Sequence, residues 1–329
     1  GIRIYVNPGH GSFGPNDRPM ATIPYPNLPT TGMPDTIGFY ESNTNLWKGM
    51  YLGDKLEAAG AFVMMSHTQG GPWPYEKVDG EYPDYTWEAY QQLPDFEKYN
   101  RPLLEIADEA EANNMDYFIS VHSNAASEGS TANYLAYFYR GNNAGEHVVP
   151  GAIEMCKASW YHAFECRSMD GLEPTNYDTR DPETSKHILA DIDFYHDSYD
   201  ATLPSSGKTY TGYLGVLHHG VPGFLVEGYF HTYQPGRHRA LNPDYCKQEG
   251  IRYYRGIVDF YGAEPDTKGY ILGTVKDEHN PFTHELYKYA ANTNDQYAPL
   301  NGAVVTLSKE NGEVVATYTV DNNYNGLFY

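Results

Sequence analysis

Positive charge and cysteine are both scarce in this chain of 329 residues. Lys and Arg total 22 against 43 Asp and Glu, a formal net charge of −21. Phosphate binding needs a basic field, so nucleic acids and anionic membrane surfaces are excluded as partners. The acidic residues are dispersed, with one mild cluster at EIADEAEA, which describes a solvated surface and not an acidic tail. Cysteine occurs three times, as Cys156, Cys166 and Cys246. No pair has metal-ligand spacing, and an odd number leaves one thiol over in any case. Cys156 and Cys166 fall on one predicted helix, too far apart to bridge along it, so buried free thiols are expected and a cysteine zinc site is not. No hydrophobic run reaches the length of a membrane span. Internal repeats and low-complexity tracts are missing. No signal peptide precedes the first strand, and a chain beginning at Gly1 is expected to be a processed or trimmed form, so the compartment is not read from it.

Hydrophobic residues make up 40%, enough for a sizeable core, and the length suggests one large domain plus something smaller. Tyrosine is abundant, at 32 residues. Its apolar ring and polar tip suit a broad, wet groove for a polar ligand, or a surface filler. Composition does not choose between them.

Along the chain, IRIYV (2–6) is a short β-rich run, and 11–36 is dense in Pro, Gly and Asn and reads as a long loop. Residues 41–61 read as a helix, with Leu46, Met50, Gly53, Leu56 and Gly60 at helical spacing and Ser42 or Asn43 as the expected cap. AFVMMSH (61–67) reads as a buried strand, 69–95 as a second loop, 101–114 as a helix and 115–125 as a strand ending in a histidine. This alternation predicts an α/β fold: a twisted, mostly parallel sheet with helices on both faces. The sheet continues at 132–140, helices are predicted near 145–165 and 184–198, strands at 212–219 and 223–230, and a closing helix at 243–262. From about 268 the pattern becomes short alternating strands, with a hairpin signal at KENGEVV. The expected division is a catalytic domain over 1–264 and a small all-β sandwich module over 268–329, which is expected to be incomplete at its C-terminal end.

Four residues stand where chemistry is expected. His10 follows the first strand inside PGHG, Glu41 opens the first long helix, His122 ends YFISV, and Glu227 ends GFLV. In an open α/β sheet, ligands bind beyond the carboxyl ends of the strands. Two imidazoles and a carboxylate suit a catalytic zinc ion, which keeps a fourth position for water, acidifies it and polarises a carbonyl. A second glutamate could move the water's proton to a leaving amine, the chemistry of amide hydrolysis. The glycines flanking His10 allow a sharp turn and an uncrowded approach. Each residue alone has an ordinary reading: the chain holds 13 His, and a glutamate at a helix start is favoured by the dipole. Glu227 is the odder one, since glutamate is rare in a buried strand unless it is paired.

In order, VNPGHG, ESNTNLWKGMYLGDKLEAAGAFV, FISVHSNA and VPGFLVEGYF resemble the four motif blocks of the zinc-dependent N-acetylmuramoyl-L-alanine amidases of the amidase-3 type, over about residues 2–262. The resemblance implies a Zn2+ cofactor held by His10, Glu41 and His122, with Glu227 as the catalytic glutamate and Asn124 as a substrate-orienting residue. It implies cleavage of the amide between the lactyl group of N-acetylmuramic acid and L-alanine. The implied partners are peptidoglycan or its muropeptide fragments, acted on in the periplasm or outside a bacterial cell, with an activator protein of unknown identity conceivable. The pattern departs from the family at Asn7, where Asp is usual, at His67, where Arg is usual, and after Glu227, where GYFHT includes His231. The C-terminal module resembles carboxypeptidase-regulatory-like or transthyretin-like sandwiches, which serve as spacers or docking domains. Two other readings stay open on the residues. One is a gated or inactive peptidoglycan-binding protein of the same fold, with the loops 11–40 and 69–95 covering the site. The other is a zinc peptidase that cuts a different amide.

Overall fold

A computed structural model describes residues 1–11, 20–21, 38–39, 41–69, 101–127, 130–163, 187–264, 269–283, 287–291 and 293–329. Most of the two predicted loops and Cys166 lie outside the described residues.

The chain opens with β1 (Arg3–Pro8), the short pair β2 (Met20–Ala21) and β3 (Gly38–Phe39), α1 (Glu41–Ala58), β4 (Phe62–Met65), α2 (Leu103–Ala112) and β5 (Tyr117–Ser123). Then come β6 (Ala136–Tyr139), α3 (Ala152–Ala163), β7 (Ile188–Ala190), α4 (Asp191–Tyr195), the hairpin β8 (Tyr199–Thr202) with β9 (Thr209–Gly212), β10 (Gly223–Gly228), α5 (Gln234–Ala240) and α6 (Pro243–Phe260). The central sheet has the order β4-β1-β5-β10-β6-β7. Its first four strands run parallel, and β6 turns antiparallel to β10 with β7 parallel to β6. The predicted mostly parallel α/β sheet is therefore present.

The pleat sorts side chains to two faces. Ile4, Val6, Ile119, Val121, Phe224 and Val226 meet Leu52 and Leu56 of α1, Trp160 of α3 and Tyr253 and Ile257 of α6. On the other face Tyr5, Phe118, Phe138 and Leu225 meet Ile106 and Ala110 of α2 together with Val216 and Leu217. Burying a side chain such as Leu52 in this way is worth about 2 kcal/mol. Helix α6 starts sharply because the Asn242 side chain accepts the Asp244 N–H and Pro243 supplies a ready-made first turn.

Several local expectations are corrected. The strand at 61–67 is an edge strand: Phe62 is 46% exposed, because no described strand pairs beyond β4 in the sheet. Helix α1 already begins at Glu41, so neither Ser42 nor Asn43 caps it. The predicted helix at 184–198 is strand β7 followed by the single turn of α4. The predicted strand at 212–219 is a 3-10 turn over Gly215–Leu217. The amides of Tyr213 and Leu214 both donate to the Asp191 carboxylate, so they cannot enter a ladder.

Beyond α6, six short strands form three antiparallel pairs. These are β11 (Gly273–Thr274) with β16 (Leu327–Phe328), β12 (Lys276–Pro281) with β13 (Tyr297–Pro299), and β14 (Val304–Ser308) with β15 (Val314–Thr319). The last pair is the hairpin read from KENGEVV. This C-terminal segment is tied to the helices by buried polar bonds. The Asp295 carboxylate, fully buried, accepts from Arg239 at 2.7 Å and from the Tyr233 hydroxyl at 2.8 Å, and Lys276 lies 3.6 Å away. Cys156 and Cys246 are buried free thiols, as expected.

Candidate active site

The site is built at the carboxyl edge of the parallel strands. Past Pro8, the Gly9 N–H still donates to the Val121 carbonyl at 2.8 Å, and then the chain turns. His10 turns it with φ +67° and Gly11 with φ +57°. A non-glycine residue in this left-handed region costs about 1–3 kcal/mol, and such conformations cluster at functional sites. Gly9 has no room for a side chain, since a Cβ there would lie 2.2 Å from the His122 ring. Gly9→Ala is therefore expected to displace His122 and, if the three-residue cluster holds a metal ion, to weaken its affinity about 10- to 100-fold. Competition titration against a chromophoric chelator measures this, and wild-type affinity would show that His122 holds no metal.

His122 is the penultimate residue of β5, and Glu41 comes from the first turn of α1, where a carboxylate is favoured by the helix dipole. Glu41 Oε2 lies 3.2 Å from His10 Nε2, and Oε1 lies 3.3 Å from His122 Nδ1. One ligand atom from each of His10, Glu41 and His122 lies within 4.8 Å of the others. The two imidazoles cross edge to face with centroids 5.0 Å apart. Glu41 is held in place by the Ser123 N–H at 2.9 Å and by Asn45 Nδ2 at 3.2 Å, and the same amide group reaches the Gly9 carbonyl at 3.4 Å. Sequence reading passed over Asn45 and Ser123. Asn45 had a legible signal, because it sits one helical turn after Glu41 on the same face.

Glu227 stands beside His122 in the parallel ladder of β10 and β5, one strand spacing away. Its carboxyl is pushed well above the usual glutamate range, first by burial and then by the negative charge of Glu41. Burial also raises Glu41, but the charge of His10 and hydrogen bonds from both imidazoles overcome it and hold that carboxyl well below the usual range. Two carboxyl groups thus share one site with opposite tendencies.

Asn124 lies in the loop after β5, where its Oδ1 accepts the Ala125 N–H at 2.7 Å, and its own backbone bonds Tyr229 and His231. It stitches the β5 and β10 loops together. His231 is not a surface residue. Its Nδ1 lies 2.9 Å from the Ser123 hydroxyl and 3.9 Å from Glu41 Oε2. Asn7 donates to the Ser120 hydroxyl at 2.8 Å inside the sheet.

Behind the site lies an ionic cluster that sequence reading missed entirely. Lys48 of α1 and Glu249 of α6 are both buried, 3.2 Å apart. The Tyr253 hydroxyl donates to Glu249 at 2.9 Å, and Arg252 lies 3.8 Å away. Gly228, the residue after Glu227, makes space for this carboxylate: a Cβ there would sit 2.6 Å from Glu249 Oε2.

Comparison with known proteins places the chain in a family. The family model described as N-acetylmuramoyl-L-alanine amidase matches residues 4–259. Among solved structures, the N-acetylmuramoyl-L-alanine amidase of Clostridium difficile 630 is 16% identical, with 80% of this chain and 98% of that chain covered and a TM-score of 0.47. The N-acetylmuramyl-L-alanine amidase Ami1 of Mycobacterium smegmatis is 14% identical, covering 80% and 98% with a TM-score of 0.48. The CwlD amidase of Clostridioides difficile, solved with the GerS lipoprotein, is 16% identical, covering 80% and 99% with a TM-score of 0.46. Among curated proteins no relative matches. With more than half its length matched by one family model, the chain belongs to the Amidase_3 family, the N-acetylmuramoyl-L-alanine amidases.

Proposed function

We propose that this protein is a zinc-dependent amidase that cuts the bond between the lactyl group of N-acetylmuramic acid and L-alanine in peptidoglycan or its fragments. The observation that carries the reading is the convergence of His10, Glu41 and His122 on one point, with Glu227 on the adjacent strand. Two imidazoles and a carboxylate are the donor set of a catalytic zinc site, so the residues present fit this metal. When bound there, zinc supplies Lewis acidity, acidifying a water and polarising the substrate carbonyl. The chain's own contribution is proton handling and alignment. Glu227 takes the proton of the attacking water and returns it to the leaving amine nitrogen. Burial raises its carboxyl above the usual glutamate range, the direction in which general acid–base work is favoured. Asn45 and the Ser123 amide fix Glu41 so that it holds one orientation.

Peptidoglycan places the activity at a bacterial envelope, in the periplasm or outside the cell. Among the described residues no helix is long and apolar enough to cross a membrane.

The test joins metal analysis to mass spectrometry of a muropeptide digest. The wild type should carry about one zinc per chain and release stem peptides that begin at L-Ala. His122→Ala should lose zinc and activity together. Stoichiometric metal in that variant would remove His122 from the ligand set. Cleavage inside the stem peptide with the lactyl amide intact would favour a zinc peptidase.

A further inference from the structure

Strand β11 pairs with β16 so that Thr274 faces Leu327, and the ladder runs on as the Val275 N–H donates to the Gly326 carbonyl at 2.9 Å. One step further, this register sets Lys276 of β12 opposite Asn325, and the lysine ammonium donates to the Asn325 side-chain carbonyl. Asn325 in turn donates its Nδ2–H to Asp295 Oδ1 at 3.1 Å, and that oxygen lies 3.6 Å from Lys276 Nζ. The Tyr287 hydroxyl is 3.5 Å from Asn325 Oδ1. The Lys276 side chain is 4% exposed, and Asp295 and Asn325 are fully buried. An amine, a carboxamide and a carboxylate therefore meet out of water.

Ion pairing alone does not account for this arrangement. Asp295 already has a full partner in Arg239 at 2.7 Å, so Lys276 brings a second cation to one buried anion. Taking that surplus charge out of water is costly, and a lysine so placed sheds its proton more readily. Burial outweighs the pull of Asp295, and Arg239 pushes the same way, so the Lys276 ammonium is brought down to about 7. A large share of it is then the neutral, nucleophilic amine at neutral pH. The turn presses the carboxamide onto the lysine: Asn325 has φ +54°, and a Cβ on Gly326 would lie 2.5 Å from the Val275 carbonyl oxygen. The segment has few other means of holding itself together. None of the three cysteines lies beyond Cys246, and the apolar cluster described in it is Phe282, Tyr287 and Ala298 with Tyr289 against them. A core this small is held poorly without a cross-link.

We propose that the side chains of Lys276 and Asn325 condense to an intramolecular amide cross-link, with Asp295 as the proton carrier. The Lys276 amine attacks the Asn325 carboxamide carbon. A new C–N bond forms while the carbonyl electron pair moves onto Oδ1, beside the Tyr287 hydroxyl. Asp295 takes the proton that the attacking nitrogen gives up and passes it to Nδ2, with which it already shares a hydrogen bond. The bond from the carbon to Nδ2 then breaks, the electron pair on Oδ1 returns to the carbonyl, and ammonia leaves. One amine and one carboxamide become one secondary amide and ammonia, with no oxidant, reductant or outside reagent. The product removes the surplus buried cation and leaves Arg239 and Asp295 as a one-to-one pair. It joins residues 49 positions apart, tying the start of β12 to the turn before β16 and so constraining the unfolded chain. The bond forms after folding, since only the folded chain brings the three groups together. The freshly folded protein therefore carries them in their ionic form.

Intact-mass spectrometry of the full chain, held folded overnight at neutral pH and then denatured, tests the bond. The wild type should weigh one ammonia less than its sequence. A tryptic digest should leave the backbone uncut after Lys276 and yield that peptide joined to the one carrying Asn325. Lys276→Arg keeps the cation and removes the nucleophile, so it should keep the full mass. Asp295→Asn should keep the full mass too, because an amide does not carry the proton across. Full sequence mass in the folded wild type overturns the proposal, whether or not the variants fold. The Asn325–Gly326 pair can also lose ammonia by closing a succinimide on its own backbone. That product leaves no joined peptides and persists in Lys276→Arg, and finding it in place of the joined peptides overturns the cross-link. Joined peptides in Asp295→Asn at the wild-type yield would overturn the carrier role of Asp295.

Discussion

Glu227→Gln is expected to lower kcat about a thousandfold, within the range that general acid–base catalysis contributes, while zinc stays at wild-type stoichiometry. The substitution keeps the shape of the side chain beside His122 and removes only its ability to exchange a proton. A carboxyl raised by burial and by Glu41 also loses an unfavourable charge when it becomes an amide, so the variant should fold at least as stably. Single-turnover rates with metal analysis on the same sample make the measurement. A variant keeping more than about a tenth of the rate would move proton transfer elsewhere. His231, 3.9 Å from Glu41, would then be the next residue to replace.

The second large effect is on stability. Asp295→Ala should cost about 3–5 kcal/mol, because it strips a fully buried carboxylate from Arg239 and Lys276, which stay in place. Asp295→Asn should cost less, since the amide can still bond to Tyr233 and Asn325. Urea denaturation reads both, with Lys309→Ala as the control: its partner Glu313 and Lys309 itself are exposed, so a change under about 1 kcal/mol is expected there. Burial raises the Asp295 carboxyl, but Arg239 and Lys276 outweigh it and hold the group below its usual value. Its contribution is therefore fully present above about pH 4 and is lost as pH falls through the folded-state value. The difference between wild type and Asp295→Ala should narrow in acid. A wild-type midpoint for Asp295→Ala would mean that the C-terminal segment does not brace α5.

The convergence of His10, Glu41 and His122 could be read from the sequence because these residues sit where strands and helices begin or end. His10, Glu41, His122 and Glu227 each occupy such a position, and local punctuation by glycine and histidine marks it. The sheet was legible for the same reason, since buried parallel strands read as apolar runs. The misreadings arose where one distant group decided local structure. Asp191 drew the amides of 213 and 214 out of any strand, and no pattern within 212–219 announces a carboxylate 22 residues before Tyr213. Helix α5, QPGRHRA, looks like a polar loop, yet Arg239 is buried because Asp295 meets it. Lys48 was legible in part: it shares the α1 face of Leu52 and Leu56, a position that a surface lysine would avoid. What it pairs with was not legible, because Glu249 lies on another helix.

That pairing also sets an order of events. Helix α1 presents Glu41 to the site, and its inner face carries a lysine whose counter-ion arrives only with α6. On a chain emerging from its N-terminus, His10, Glu41 and His122 are all synthesised well before Glu249. Until then Lys48 lacks its anion and α1 lacks the α6 side of its packing, although Leu52 and Leu56 already meet β1 and β5 and Ser123 and Asn45 already hold Glu41. Neutralising Lys48 behind the candidate site therefore waits on a contact between residues 48 and 249. Such closure is slow compared with local helix formation. A nascent or C-terminally clipped chain would hold His10, Glu41 and His122 together while burying an unpaired lysine behind them, so the cluster rests on a loosely packed helix until α6 arrives.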